Sequence, residues 1–164
     1  MAFGTGQHPT TAMCLRALEA CLRPGDRVLD VGTGSGILAI AAVRLGAERV
    51  LALDIDPQAV KAARQNAEAN GVAAAVEVRE GTLPDAEAGQ FEMIVANISG
   101  LTIERLAGEF AGALTESGTL IVSGFLDDTV DGLGAALSAA GLDVDRIDEE
   151  GVWRCITARK GAGA

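Results

Sequence analysis

The sequence predicts an α/β protein: a three-layer, doubly wound sheet of seven mostly parallel strands, finished by an antiparallel terminal hairpin. Three observations carry this expectation. From Arg27 onward, short apolar runs alternate with helical stretches, the pattern of a parallel sheet with crossover helices. RVLDVG, SGILAIAAVRLG and RVLALDID make one complete strand–helix–strand unit around a glycine turn. The last two runs, LDVDRIDEE and VWRCITARK, meet at Gly151 and read as a hairpin.

The elements follow in order. AFGTGQHPTTAMCLRALEACL leads from a glycine-rich loop through Pro9 and Thr10 into an amphipathic helix carrying Leu15, Leu18 and Leu22, with Thr10 and Thr11 as candidate caps. A loop of this composition is expected to fold over a ligand, so residues 1–26 read as a covering loop and helix. Residues 27–32 form a buried strand, 35–46 a helix stopped by Gly46, and 49–56 the second strand. Asp56 and Pro57 supply an N-cap and a first-turn proline for a helix that ends at Gly71, whose left-handed conformation closes it. Strands at 74–80, 91–97 and 118–124 are separated by helical stretches near 101–114 and 129–140. The core is thus expected over 27–160, with 161–164 as a frayed tail.

The chain has 164 residues, a formal net charge of −10, 49% hydrophobic and only 3% aromatic residues, which makes one domain with an aliphatic core. Platforms for stacking nucleic-acid bases are nearly absent, and an acidic surface is repelled by phosphate backbones and anionic membranes. A cationic protein is the easier partner; direct DNA binding and membrane binding are not expected. The longest apolar run, residues 37–43, is too short to cross a bilayer, and the first residues carry no secretory pattern, so a soluble cytoplasmic protein is expected. Cys14, Cys21 and Cys155 have neither CxxC nor zinc-ligand spacing and read as reduced, packed thiols; no metal site is expected.

The turn DVGTGSG places Gly32, Gly34 and Gly36 where the backbone must bend and a ligand can approach without meeting a Cβ. A nucleotide-type ligand at the carboxyl end of the first strand follows. A dinucleotide fingerprint requires its third glycine at position 37, which holds Ile37. The second strand ends in Asp54, a residue type that accepts both hydroxyls of a ribose, and ribose binding is the favoured reading over a solvated strand-end carboxylate. Asp30, among Val28, Leu29 and Val31, is costly to bury unless it orients the glycine turn or meets the ligand's amino-acid end. At the end of the fourth strand, VANIS puts Asn97 beside the same crevice, where its amide oxygen and the Ile98 carbonyl can accept hydrogen bonds from a substrate amine; a turn-forming Asn is the alternative. His8, the only histidine, reads either as a general base or as a structural loop residue before Pro9.

The turn VLDVGTGSG and the strand end LDID resemble the class I S-adenosylmethionine (SAM)-dependent methyltransferases, whose sheet is Rossmann-like. More narrowly, AFGTGQHPTT, GTGSGILAIAA, LALDIDPQAV, VANI and GVWRCITARK, in that order over essentially the whole chain, look like the ribosomal protein L11 methyltransferase (PrmA) family. This resemblance implies SAM-dependent methylation of the lysine ε-amines and the α-amine of ribosomal protein L11, a basic partner, with S-adenosylhomocysteine as product. Carried over by motif, it implies cofactor contacts at Phe3, Thr11, Gly32, Asp54 and Asn97, with Gly81, Thr82 and Leu83 at the adenine and Asn97 and Ile98 at the transfer edge; Asp30, Gly34, Gly36 and Ile55 complete the expected cofactor-binding set. The wider superfamily often has an Asp after the third strand; here Gly81, Thr82 and Leu83 stand there, leaving the adenine to a backbone amide or the Thr82 hydroxyl. Ile98 replaces the Pro-Pro-aromatic run of enzymes that methylate planar nitrogens, which speaks against adenine or glutamine amide as substrate.

The family's members resemble this chain only in their C-terminal part and carry a separate N-terminal substrate-recognition domain. The chain therefore reads as an excised catalytic domain or a natural short form. Three other readings stay open: a lysine methyltransferase of another protein, a SAM-binding module inactive without its recognition domain, and a nicotinamide-dependent oxidoreductase.

Overall fold

The computed structural model describes residues 8–83 and 89–161. In chain order its helices are α1 (Pro9–Cys21), α2 (Ile37–Arg44), α3 (Pro57–Ala69), α4 (Gly100–Ala113) and α5 (Val130–Ala139). Its strands are β1 (Arg27–Val31), β2 (Arg49–Asp54), β3 (Val76–Glu80), β4 (Phe91–Asn97), β5 (Leu114–Leu126), β6 (Leu142–Glu150) and β7 (Trp153–Lys160). They form one sheet in the order β3-β2-β1-β4-β5-β7-β6. β1 to β5 are mutually parallel, and β7 runs antiparallel to both β5 and β6. The predicted hairpin is present, but β7 is inserted between β5 and β6, so β6 again runs with the first five strands.

Alternation along the strands sorts the apolar residues into two layers. Val28, Met93, Val95 and Ile121 join Met13, Leu18, Leu38 and Val60 of α1, α2 and α3 on one face. Leu29, Val31, Ile94, Ala96, Leu120 and Val122 join Ile103, Phe110, Leu133 and Leu137 of α4 and α5 on the other. This is the expected three-layer, doubly wound arrangement. By the same alternation Asp30 and Asn97 face the α1 side.

Several boundaries differ from the sequence-based expectation for identifiable reasons. The cap of α1 is neither Thr10 nor Thr11 but His8, whose Nδ1 accepts from the Thr10 amide (3.2 Å) and lies 2.8 Å from its hydroxyl. Thr10 and Thr11 are inside the helix and fully buried. β2 stops at Asp54 because the Asp56 amide turns back to donate to Asp54 Oδ1 (3.0 Å) and the Asp56 side chain then caps α3. α2 starts only at Ile37, because Gly34 and Gly36 hold φ values of 57° and 87°, outside the helical region. β5 begins four residues before the expected Gly118, directly after α4, and passes through a left-handed Ser117 at φ 64°. Phe3 of the leading loop and residues 162–164 of the tail lie outside the described residues. No helix among the described residues is long and apolar enough to cross a membrane.

Candidate functional site

Strand register brings the predicted residues to one edge. Val31 pairs with Leu53 on one side and Ala96 on the other, Asp54 with Glu80, and Asn97 with Ser123. One step further the chain leaves the sheet at Gly32, Ile55, Gly81 and Ile98, while β5 passes through a bulge at Gly124. The connections that follow β1 and β4 pass to opposite faces, so a crevice opens beyond the carboxyl end of β1, where open α/β sheets take their ligands.

The glycine turn is held by backbone donors. Gly32 and Thr33 both donate to the Leu53 carbonyl (2.8 and 2.9 Å), and the Gly34 amide donates to Asp54 Oδ2 (2.9 Å). With the Asp56 amide on Oδ1, each carboxylate oxygen of Asp54 has one protein donor and retains a lone pair for another. The Asp54 carbonyl accepts from Gly81 (2.9 Å), which ties the β3 end, and Thr82 after it, to the same corner. Ile55 beside Asp54 is 74% exposed, whereas the Leu83 side chain is buried in the α4–α5 core. At Gly34 nothing lies within 4 Å of where a Cβ would stand, so a ligand can lie against this backbone. Gly36 acts differently, because a Cβ there would meet Ala63 at 3.3 Å; the glycine lets α2 approach α3 rather than opening the crevice.

Beneath the turn, Asp30 is fully buried and accepts from the Thr33 hydroxyl at 2.7 Å, while its Oδ1 has no protein partner. Burial pushes its pKa up to about 7; the Thr33 bond and the Ala39 amide pull it back, and the Asp54 charge adds to the rise. Cys14 of α1 and Cys155 of β7 are buried nearby; their mutual hydrogen bond and burial raise the Cys14 thiol well above its ordinary value, leaving it protonated and unreactive.

Across the crevice, Asn97 Nδ2 donates to Thr11 Oγ1 (3.3 Å), so the first helix reaches the site through a side chain 86 positions away. Asn97 Oδ1, like Asp30 Oδ1 beneath the turn, is a buried acceptor without a protein partner. Thr11, Gly32, Thr33, Gly34, Ile37, Leu38 and Asn97 enclose a cavity of about 30 Å³. A larger cavity, about 500 Å³, lies between α1, α2 and α3 away from the strand ends. Two of its polar side chains are engaged within the protein, Asn66 donating to the Ser35 carbonyl (2.8 Å) and Arg44 to Asn70 (2.9 Å).

Two glycines set Ile98. A Cβ at Gly32 would stand 2.5 Å from Ile98 Cγ2, and one at Gly124 would overlap the Ile98 carbonyl oxygen. Ile98 N donates to the Ser123 carbonyl at 3.0 Å. Gly124, Thr33 and the capping role of His8 are functional features that the sequence pattern does not single out. Gly124 carries a signal all the same, since it ends the fifth strand expected from sequence as Gly32 ends the first, although β5 itself runs on to Leu126. His8 also meets the Trp153 ring edge-on, with ring centroids 5.0 Å apart.

A parallel sheet ordered β3-β2-β1-β4-β5 with a reversed strand inserted before the last, and a glycine turn facing an acidic strand end, is the fold of the class I methyltransferases. An RNA methyltransferase from Salinibacter ruber, solved in complex with S-adenosyl-L-homocysteine, shares this fold with a TM-score of 0.77 at 22% identity, over 96% of each chain. The family model for ribosomal protein L11 methyltransferase (PrmA) matches residues 1–161, and the chain belongs to that family. A ribosomal protein L11 methyltransferase from Pelotomaculum thermopropionicum is 52% identical over 97% of this chain and 52% of its own length. One from Geobacter sulfurreducens is 49% identical over 97% and 52%. The crystal structure of a ribosomal protein L11 methylase from Lactobacillus delbrueckii subsp. bulgaricus superposes with a TM-score of 0.89 at 36% identity, covering 94% of this chain and 81% of that one. The chain spans about half the length of the curated relatives it matches.

Proposed function

We propose that this chain catalyses the SAM-dependent N-methylation of a basic protein, ribosomal protein L11, at lysine ε-amines and the α-amine. The observation that carries the reading is the unpartnered, buried Asn97 Oδ1, an acceptor set across the glycine turn from Asp54. Family membership and the relatives' names support L11 as the substrate; a ribosomal substrate in turn makes the cytoplasm the proposed place of reaction.

The residues present fit the cofactor. Asp54 keeps acceptor capacity for two hydroxyls, Gly34 leaves room against the backbone, and Ile55 offers an exposed apolar surface beside them. On this reading Gly32, Gly34, Asp54, Ile55, Gly81 and Thr82 hold the nucleoside and its chain, with the Leu83 backbone at the adenine end. Thr11 and Asn97 close the methionine end, and Asp30 and Gly36 hold the turn from behind. SAM, when bound, supplies an electrophilic methyl group that leaves sulfur as a carbon–nitrogen bond forms.

The protein's own contribution is positioning. A lysine amine, with a reference pKa of about 10.4, must lose a proton before attack, and desolvation in the crevice lowers that pKa. Asn97 Oδ1 and the Ile98 carbonyl accept the amine's N–H bonds and so direct its lone pair toward the crevice. The Asn97 amide is itself aimed by its bond to Thr11, and the Ile98 carbonyl by its close fit against Gly124.

The test is the intact mass of purified ribosomal protein L11 after incubation with SAM and this chain, with Asp54→Ala as control. Mass gains in methyl-sized steps that disappear in the control are expected. If wild-type chain binds S-adenosylhomocysteine yet methylates no protein amine, the assignment of transfer fails and a binding module remains.

A further inference from the structure

Among the described residues, seven large apolar side chains are exposed: Leu45 after α2 and Val144 and Ile147 on β6 stand apart, whereas Ile55, Leu101, Leu126 and Val152, 39 to 74% exposed, lie where the sheet's carboxyl edge opens. Three of them stand on segments whose backbones meet at this edge. Leu126 ends β5 and pairs with Trp153, and the Asp127 amide donates to the Val152 carbonyl at 3.0 Å, which joins the strand end to the hairpin turn. Gly100, the residue before Leu101, packs against Phe125 and Thr129, so close that a Cβ would stand 2.9 Å from the Thr129 methyl. This brings the first turn of α4 to the same place. These segments also lead directly from the crevice: Leu101 follows Asn97 and Ile98 on the turn into α4, and Leu126 is two residues after Gly124.

The rim of this edge is acidic. Asp127, Asp128, Asp131, Glu149 and Glu150 are exposed around it. Against them stand Arg154, which reaches Glu149 (3.2 Å) and Asp127 (3.9 Å), and Arg16, which reaches Glu150 (3.3 Å). The Arg154 side chain is only 17% exposed and also donates to the Gly151 and Trp153 carbonyls, so it secures the turn rather than presenting a positive charge. The balance is negative. A second copy docking here by two-fold symmetry would set this acidic rim against itself, which like-charge repulsion disfavours. A cationic chain with apolar side chains suits both features.

We propose that the surface of Leu101, Leu126 and Val152, rimmed by Asp127, Asp128 and Glu149, docks the methyl-accepting polypeptide through a basic segment with apolar residues beside the target amine. This deepens the proposed function and rests on it. The aliphatic patch seats the apolar side chains, the carboxylates hold flanking cations, and the amine is delivered along the Asn97–Leu101 turn.

The test is steady-state methylation of ribosomal protein L11 by the wild type, by a Leu101→Ser/Leu126→Ser/Val152→Ser variant and by Asp127→Asn/Asp128→Asn, with S-adenosylhomocysteine affinity and light scattering alongside. The apolar variant is expected to raise KM for the protein about tenfold, the acidic variant to raise it less, and both to leave kcat and S-adenosylhomocysteine affinity unchanged. Unchanged KM in both variants overturns the docking surface and leaves the methyltransferase reading standing. A wild-type dimer that the apolar variant dissolves assigns the face to a second copy and also overturns it. Absence of transfer to any polypeptide amine by the wild type overturns the functional reading, and the docking surface with it.

Discussion

Asn97 and Gly124 make opposite demands on the same few ångströms. Asn97 contributes an open acceptor, so Asn97→Ala is expected to lower kcat about a hundredfold, the scale of a misplaced reactant, and to weaken S-adenosylhomocysteine binding much less. Single-turnover rates set beside calorimetric affinities test this. Gly124 contributes the absence of a side chain: at φ 106° and pressed against the Ile98 carbonyl, it admits no Cβ without moving that carbonyl. Gly124→Ala is therefore expected to cost roughly 1–3 kcal/mol in thermal unfolding and to reduce kcat as well. Asp30 makes the site pH-sensitive. Its carboxyl titrates near pH 3.9 in an unfolded chain but at about 7 in the fold, so between those values the native state holds a proton that the unfolded state has released. Stability falls as pH rises from about 4 to 7 and levels off above, where the buried charge is fully formed. Asp30→Asn is expected to flatten that slope; melting curves of the two proteins from pH 4 to 8 that stay parallel would show Asp30 ionised throughout.

The elements owe their limits to signals of unequal clarity. α3 is legible because Asp56 caps it, Pro57 occupies its first turn and Gly71 closes it, each a local preference. Asp56→Ala should cost about 1 kcal/mol, a fall of a few degrees in melting temperature, while cofactor affinity stays, because Asp54 is met by the Asp56 backbone amide and not its side chain. The start of α1 is harder to place because His8 is a less common cap than the threonines after it, and its bond to the Thr10 amide is a matter of geometry. α4 is capped by Ser99, whose hydroxyl oxygen accepts from the Thr102 amide (3.3 Å), but packing contributes more: Phe110 is fully buried, and Phe110→Ala should cost about 3–5 kcal/mol by calorimetry. The place of β7 has a signal that the folded molecule makes plain. Its Cys155, Ile156, Thr157 and Ala158 are all buried, as an interior strand requires, whereas charged β6 presents the guarded face of an edge.

For the molecule as a whole, a net charge of −10 favours encounter with a basic substrate, so kcat/KM for ribosomal protein L11 is expected to fall as salt rises while kcat holds. A salt-independent kcat/KM would remove electrostatic steering from the account. Sheet class, element order, glycine turn, Asp54, Asn97 and family resemblance are all readable in the chain, because apolar period, turn residues and motif spacing are local properties. Other features come only with the folded molecule: β7 between β5 and β6, the helices assigned to each face, Thr11 aiming Asn97, Ile98 fitted between Gly32 and Gly124, and Asp30 buried beside Thr33. Each joins residues brought together by strand register and layer packing. Those are settled by the burial of the whole core and the pairing of its polar groups, which no stretch of sequence encodes alone.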